Sequence, residues 1–208
     1  DIWVIDDRND GYPRFAWQQF DEEDTLDNDN ISDDVEAAAP NGGDGNNDGI
    51  IDSEQSNVAS FVNSVTGKYV TLAVDDVCTI NNVAIDVESS HVVADVAYQY
   101  PAGLLNFTIE CADPGFSATV SLIFHGLDNS SYVLRKYNPN SQSYATIAPL
   151  SLAASTVGTS NAIVARYALV DGGPLDLDGA ANGTLVDPVG LGQVDIGAPR
   201  TGGGGTAG

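Results

Sequence analysis

Residues 116–125 read FSATVSLIFH, and the alternation within them decides the fold. Ala118, Val120, Leu122 and Phe124 stand at every second position, with Thr119, Ser121 and Ile123 between them. Successive side chains of a β-strand point to opposite faces, so a strand with one face in a core carries this period of two. Similar Val/Ile/Tyr/Thr-rich runs lie on both sides, at residues 69–74, 77–87, 92–100 and 104–111 before it, and at 132–137, 144–148 and 162–170 after it. Clusters of Asn, Gly, Pro and Ser separate them, and no helical period exceeds two turns. About eight short strands at regular spacing predict an all-β chain, an antiparallel β-sandwich over residues 58–190.

At 208 residues and 42% hydrophobic content, the chain is long enough to bury a core, in one or two domains. Thirty acidic against seven basic residues leave a net charge of −23, which makes nucleic acid and anionic membrane poor partners. No run of ~20 apolar residues is present, so no membrane insertion is expected of this chain. No secretory leader is recognised, and a chain that starts at Asp1 without Met reads as a processed form or a fragment. The charge is uneven. Residues 1–56 carry 17 Asp/Glu and two Arg, a net of −15, while residues 57–208 carry 13 acids and five bases, a net of −8. The N-terminal quarter is the part that needs a cation.

Within that quarter, residues 24–57 read DTLDNDNISDDVEAAAPNGGDGNNDGIIDSEQSN, two acidic loops in tandem. In the second, Asp44, Asn46 and Asp48 alternate, Gly49 and Ile50 follow, and Asp52, Glu54 and Gln55 close the run. This is the spacing of an oxygen-coordinated Ca²⁺ loop: side-chain oxygens at the first, third and fifth places, a Gly for the turn, a backbone carbonyl at the seventh, and an acid at the ninth. The first loop repeats the plan less well, with Thr25, Asp27, Asp29, Asn30 in the Gly place, Ile31, Asp33, and Glu36 at the twelfth place. Such a density of carboxylates repels itself unless a hard cation neutralises it, and Ca²⁺ accepts six to eight oxygens with tolerant geometry. The alternative is a solvated acidic linker. No amphipathic helices of EF-hand length flank the loops, so the arrangement resembles thrombospondin type 3 and dockerin-like calcium repeats. Farther on, Asp171, Asp176, Asp178 and Asp187 offer a further cation site, with Asp176 and Asp178 at its centre, or else a series of polar turns.

Residues 1–23 read as a two-stranded ribbon with a turn at Asn9-Asp10-Gly11, and they hold both tryptophans. Cys78 and Cys111 lie in strand-like runs. In an acidic, Asn/Gly/Thr-rich chain they read as one extracellular disulfide, with two buried thiols as the alternative. His91 and His125 belong to no catalytic motif and read as packed or edge residues. Asn106, Asn129 and Asn182 begin Asn-x-Ser/Thr sequons. Residues 171–208 turn loop-like and glycine-rich, with residues 191–208 as a Gly-rich tail.

Three stretches carry a resemblance. The run VEAAAPNGGDGNNDGIIDSEQSNVASF, followed by GKYVTLAV and Cys78, resembles the start of the bacterial choice-of-anchor U domain. The later VDGGPLDLDGAANGTLVDPVG resembles its C-terminal signature. The segment NDGYPRFAWQ is similar to the closing segment of repeats in large bacterial adhesins. Ala198-Pro199-Arg200-Thr201-Gly202 is similar to a sortase sorting motif, with Ala in the Leu place. The resemblance implies a secreted or surface-displayed β-rich module with no catalytic activity and no defined ligand. The expected function is a calcium-stabilised structural module, or a polymerising subunit of a bacterial surface fibre, whose partners are copies of itself or neighbouring modules. The alternative is a calcium-dependent adhesin domain that binds carbohydrate or a host protein, and an enzyme is the weakest reading.

Overall fold

The computed structural model describes residues 27–127 and 131–195, together with the backbone of two short strands before them. These are β1 (Trp3–Val4) and β2 (Arg14–Phe15), paired antiparallel with Trp3 opposite Phe15. The turn of that ribbon, the 129 sequon and the 198–202 motif lie outside the described residues. A single-turn helix follows, α1 (Asp33–Ala37). Then come β3 (Val58–Val62), β4 (Tyr69–Ala73), β5 (Cys78–Asp86), β6 (Tyr98–Gln99), β7 (Leu104–Cys111), β8 (Ser117–His125), β9 (Tyr132–Asn138), β10 (Ser143–Ile147), β11 (Ser151–Val157), β12 (Ser160–Val170) and β13 (Thr184–Val194).

They form two antiparallel sheets packed as a sandwich. One runs β11-β12-β8-β4-β3, and the other runs β10-β9-β13-β7-β5 with β6 on the end of β13. The alternation in β8 behaves as the sequence predicts. Ala118, Val120, Leu122 and Phe124 are buried between the sheets, whereas Ile123 packs with Val157 and Ala162 on the opposite face. The core is closed from the second sheet by Leu105, Phe107, Ile109, Leu134, Leu185, Val189 and Leu191. Cys78 and Cys111 are directly opposite each other on β5 and β7, and their sulfurs are bonded.

Three local expectations are corrected. Residues 92–100 form no full strand: only Tyr98–Gln99 pair, because Val92 and Val96 are 76% and 83% exposed and the chain there loops over the sheet instead of joining it. β11 is an edge strand, missed because Ser151, Ala153, Ala154 and Ser155 are exposed and so carry no apolar alternation. The largest correction concerns residues 184–194. The Gly- and Pro-rich composition there reads as loop, yet they form β13, the strand hydrogen-bonded between β7 and β9 at the centre of the second sheet. Its inward row, Leu185, Asp187, Val189 and Leu191, is wholly buried. Its outward glycines exist for close approach. A Cβ on Gly192 would stand 2.7 Å from Arg135 Cγ, and one on Gly190 would stand 2.6 Å from the Gly103 carbonyl oxygen. Pro188 falls one residue outside the ladder with β9, so its missing N–H is tolerated.

Neither sheet leaves its outer face bare. On the second, Tyr100, Leu104 and Tyr137 make a small satellite core with Tyr98 and Tyr144. Asp95 pins it by accepting from Arg135 Nη2 at 2.5 Å and from the Tyr100 hydroxyl at 2.6 Å. On the first sheet, the acidic segment itself is the cover. The Tyr69 hydroxyl on β4 donates to the Val35 carbonyl of α1 at 2.8 Å, and the Ser60 N–H on β3 donates to Glu36 Oε1 at 2.9 Å.

Candidate metal centre

The geometry of the two acidic loops follows from that docking. In the first, Asn28 and Asn30 take left-handed backbone conformations, with φ of 66° and 72°, which Asn tolerates better than most residues. Their turns swing Asp27 and Asp29 to the same side, and the Ile31 N–H donates to Asp29 Oδ1 at 2.7 Å. Helix α1 then brings Glu36, the twelfth-place acid, back over the loop. One oxygen from each of Asp27, Asp29 and Glu36 lies within 4.8 Å of the others. Among the described residues, this is the group of acidic, His or Cys ligand atoms close enough together to hold a metal ion.

Each of these three carboxylates has an orphaned oxygen. Asp27 Oδ2, Asp29 Oδ2 and Glu36 Oε2 are buried without a hydrogen-bond partner, and Asp29 and Glu36 have no exposed surface. A buried, unpartnered carboxylate is costly, and three together are worse because they repel. Burial first, then the neighbouring charges, push the acids up: Asp27 to about 6, Asp29 to about 7 and Glu36 to about 9. Asp33, at the start of α1, adds its charge to the repulsion on Asp27 and Asp29. A divalent cation among the three oxygens would remove both costs. Three hard anionic oxygens in a loop that leaves further positions to backbone and water suit a hard, oxygen-seeking ion.

The second loop, closer to the expected pattern in sequence, is arranged differently. Its carboxylates accept from the loop's own donors. Asp44 takes the N–H groups of Asp48 and Gly49 at 3.0 and 3.1 Å, and Asn46 Oδ1 takes the Asp48 N–H at 3.0 Å. Asp48 Oδ1 takes the Ile50 N–H at 2.9 Å, and the Ile50 carbonyl accepts from Gln55 Nε2 at 3.4 Å. Gly49 supplies the sharp turn with φ of 95°. Asp52 points away from this loop and under it. Its Oδ2 accepts from the Gly45 N–H at 2.8 Å and the Ser60 hydroxyl at 2.5 Å, while Oδ1 is buried and unpartnered. From Ser60 a chain of short contacts continues to Thr71 Oγ1 at 2.6 Å and on to His125 Nε2 at 3.0 Å. Burial lowers His125 to about 4, so it is neutral here, and raises Asp52 to about 6. This buried relay has no sequence signal beyond polar residues on the rows of β3 and β4 that face the acidic cover, opposite the core-facing Ala59, Phe61, Val70 and Leu72.

Gly45 is what lets the second loop lie so close. A Cβ there would stand 2.6 Å from Ser60 Oγ and 2.8 Å from Asp52 Oδ2, and closer still to Thr71 Oγ1. The substitution Gly45→Ala is expected to cost about 1–3 kcal/mol through overpacking. Urea unfolding checks it: the midpoint falls while the slope is unchanged.

In the third group Asp176 and Asp178 stay together, close enough to share a side-chain hydrogen bond, while each acid also organises a turn. Asp171 accepts from Gly115, Asn182 and Gly183 N–H groups, which hold its carboxyl below the usual range despite the opposing cost of burial. Asp176 accepts from Gly172 and Val186 N–H groups, and Asp178 from the Ala180 N–H and Asn182 Nδ2. These are turn-organising contacts. Asp187 lies apart from them, inside the core, where it meets Lys136 Nζ and the Tyr167 hydroxyl. Asn106, one of the sequons, donates its side chain to Asp86.

Compared with known proteins, the chain matches no family model, no curated protein and no solved structure. No helix among the described residues is long and apolar enough to cross a membrane.

Proposed function

We propose that this chain is a calcium-braced extracellular β-sandwich, serving as a structural module or polymerising subunit of a bacterial surface fibre. The observation that carries the reading is the set of three orphaned, buried carboxylate oxygens of Asp27, Asp29 and Glu36. They sit where a covering layer meets its sheet, so an ion there locks the layer down. The ion is read as Ca²⁺ because the spacing of the loop is that of calcium repeats and the ligands are all oxygen. Asp44, Asn46 and Asp48 make a second, outer position whose ligands are preorganised by their own turns. The Cys78–Cys111 disulfide supports an oxidising, extracellular setting, as does the resemblance to the choice-of-anchor U domain. In the polymer form, β11 is the edge to extend: its strand partner is β12 alone, and an added strand would satisfy its outer row of backbone groups.

Negative-stain electron microscopy of the purified chain, with and without a calcium chelator, tests this. Filaments that fray on chelation are the expected result. Monodisperse particles indifferent to chelation would refute the polymer form.

A second reading is favoured by one observation, a cleft of about 310 Å³ bordered by Asp86, Ser90, His91, Asn106 and Tyr137. His91 stacks on Tyr137 with ring centroids 3.8 Å apart, and an aromatic wall beside polar groups suits a sugar ring. A monomer that binds glycans and loses binding in His91→Ala would favour the adhesin reading over the fibre. No residue set argues for catalysis in this reading.

A further inference from the structure

We propose that Lys136 and Asp187 form an intramolecular amide bond, a covalent cross-link between β9 and β13 inside the sandwich. Val189 is the register partner of Lys136, and Asp187 lies two residues before it on the same core-facing row. Lys136 and Asp187 are therefore diagonal neighbours, and Lys136 Nζ meets Asp187 Oδ1 directly. Their side chains are 5% and 0% exposed. The second carboxylate oxygen, Oδ2, accepts from the Tyr167 hydroxyl at 2.7 Å, and Tyr167 reaches it from β12 in the opposite sheet. Among the described residues neither group has a further hydrogen-bond or ion-pair partner; Leu134, Leu185, Val189 and Leu191 belong to the same core, and the Asp176 charge acts on Asp187 from beyond it.

An ion pair is poorly served by such a place. The desolvation of two charges in an apolar core often exceeds what their attraction returns, and burying a charge is costly. Burial raises the Asp187 carboxyl, in the direction of its protonated form. Once its proton has passed to Asp187, the Lys136 amine is a nucleophile in contact with that carboxyl group, and the burial of both side chains keeps solvent away.

The chemistry balances without a co-reactant. A proton passes from the Lys136 ammonium to the Asp187 carboxylate, giving amine and carboxylic acid. The Nζ lone pair attacks Asp187 Cγ, and the C–N bond forms as electron density moves onto the carboxyl oxygen. The Tyr167 hydroxyl, which burial keeps protonated, donates to Oδ2 where that charge develops. The amine loses its second proton to the departing Oδ1 hydroxyl, the C–O bond breaks, and one water leaves. The sum is ammonium plus carboxylate to amide plus water.

Intact-mass spectrometry of the folded full chain, with its disulfide reduced, tests this. The expected mass is one water below that of the sequence, trypsin fails to cleave after Lys136, and a branched peptide joins the Lys136 and Asp187 segments. Asp187→Ala restores the sequence mass. Because that variant leaves Lys136 buried alone and could fail to fold, Asp187→Asn is the second: it keeps the shape and leaves the chain lighter by one ammonia. Tyr167→Phe, folded by circular dichroism, slows the loss of water. A folded wild-type chain of full sequence mass, cleaved normally after Lys136, would overturn the proposal, and complete cross-linking in Tyr167→Phe at the wild-type rate would overturn the role given to Tyr167.

Discussion

Metal-free protein is expected to gain stability as pH is lowered from about 9 to about 6.5, and Ca²⁺ is expected to erase that dependence. The sign follows from Glu36 and Asp29, held at about 9 and about 7 against ordinary values of 4.5 and 3.8. An acid raised on folding binds its proton more tightly in the native state. Its contribution is whole below the unfolded value and is lost as pH rises through the folded one. His125, lowered to about 4 from 6.5, works the other way, but only below 6.5, where its unfolded form takes a proton. The window above 6.5 therefore reports the acids. With a Kd of about 10 μM, Ca²⁺ at about 1 mM adds about 2.7 kcal/mol, or about 5–10 °C in melting temperature for a chain of this size. Glu36→Gln separates the causes. Without metal at high pH it melts above the wild type, since a repelling charge is gone, and with Ca²⁺ it gains less than the wild type does. Thermal unfolding of chelator-treated protein at both pH values decides it, and melting indifferent to both pH and Ca²⁺ would refute a cation site.

Replacing Cys78 and Cys111 together by Ser is expected to cost about 3.7 kcal/mol, the loop-closure entropy of their 33-residue separation. That is about 7–15 °C in melting temperature. The physical origin is positional. β5 is an edge strand with β7 as its one strand partner, and along its length residues such as Thr79, Val83 and Glu110 opposite are exposed or half-buried. The cross-link ties this edge to its one strand partner at the start of β5, beside the core residues Ile80 and Ile109. Urea titration of the double variant measures the loss, and hydrogen exchange locates it: β5 amides lose protection before those of β8. A variant as stable as the wild type would mean that core packing alone holds the edge.

Much of this was legible from residue order, for reasons that also explain the rest. The alternation of Ala118, Val120, Leu122 and Phe124 survives because β8 is central and has one apolar face. β13 is as central, but its outer positions face Arg135, Tyr98 and the chain at Gly103, which demand glycine, and glycine reads as loop. The first acidic loop matches the calcium pattern less well than the second, yet it gathers the buried oxygens. The deciding residue is the twelfth: Glu36 folds back on α1, whereas the second loop has Gln55 there. Asp187 was grouped with Asp171, Asp176 and Asp178 by proximity in sequence. Only the register of β13 reveals that its side chain points inward, toward Lys136.

The position of β13 in the chain also bears on assembly. β7 and β9 meet only through it, so half the sandwich lacks its middle until residue 194 has been made. Until then, the β5–β7 pair and the β9–β10 hairpin emerge from the ribosome as separate pieces with no shared ladder. Such non-local closure is slow, so the second sheet can close only after every strand of the first, which ends with β12 at Val170, has been made.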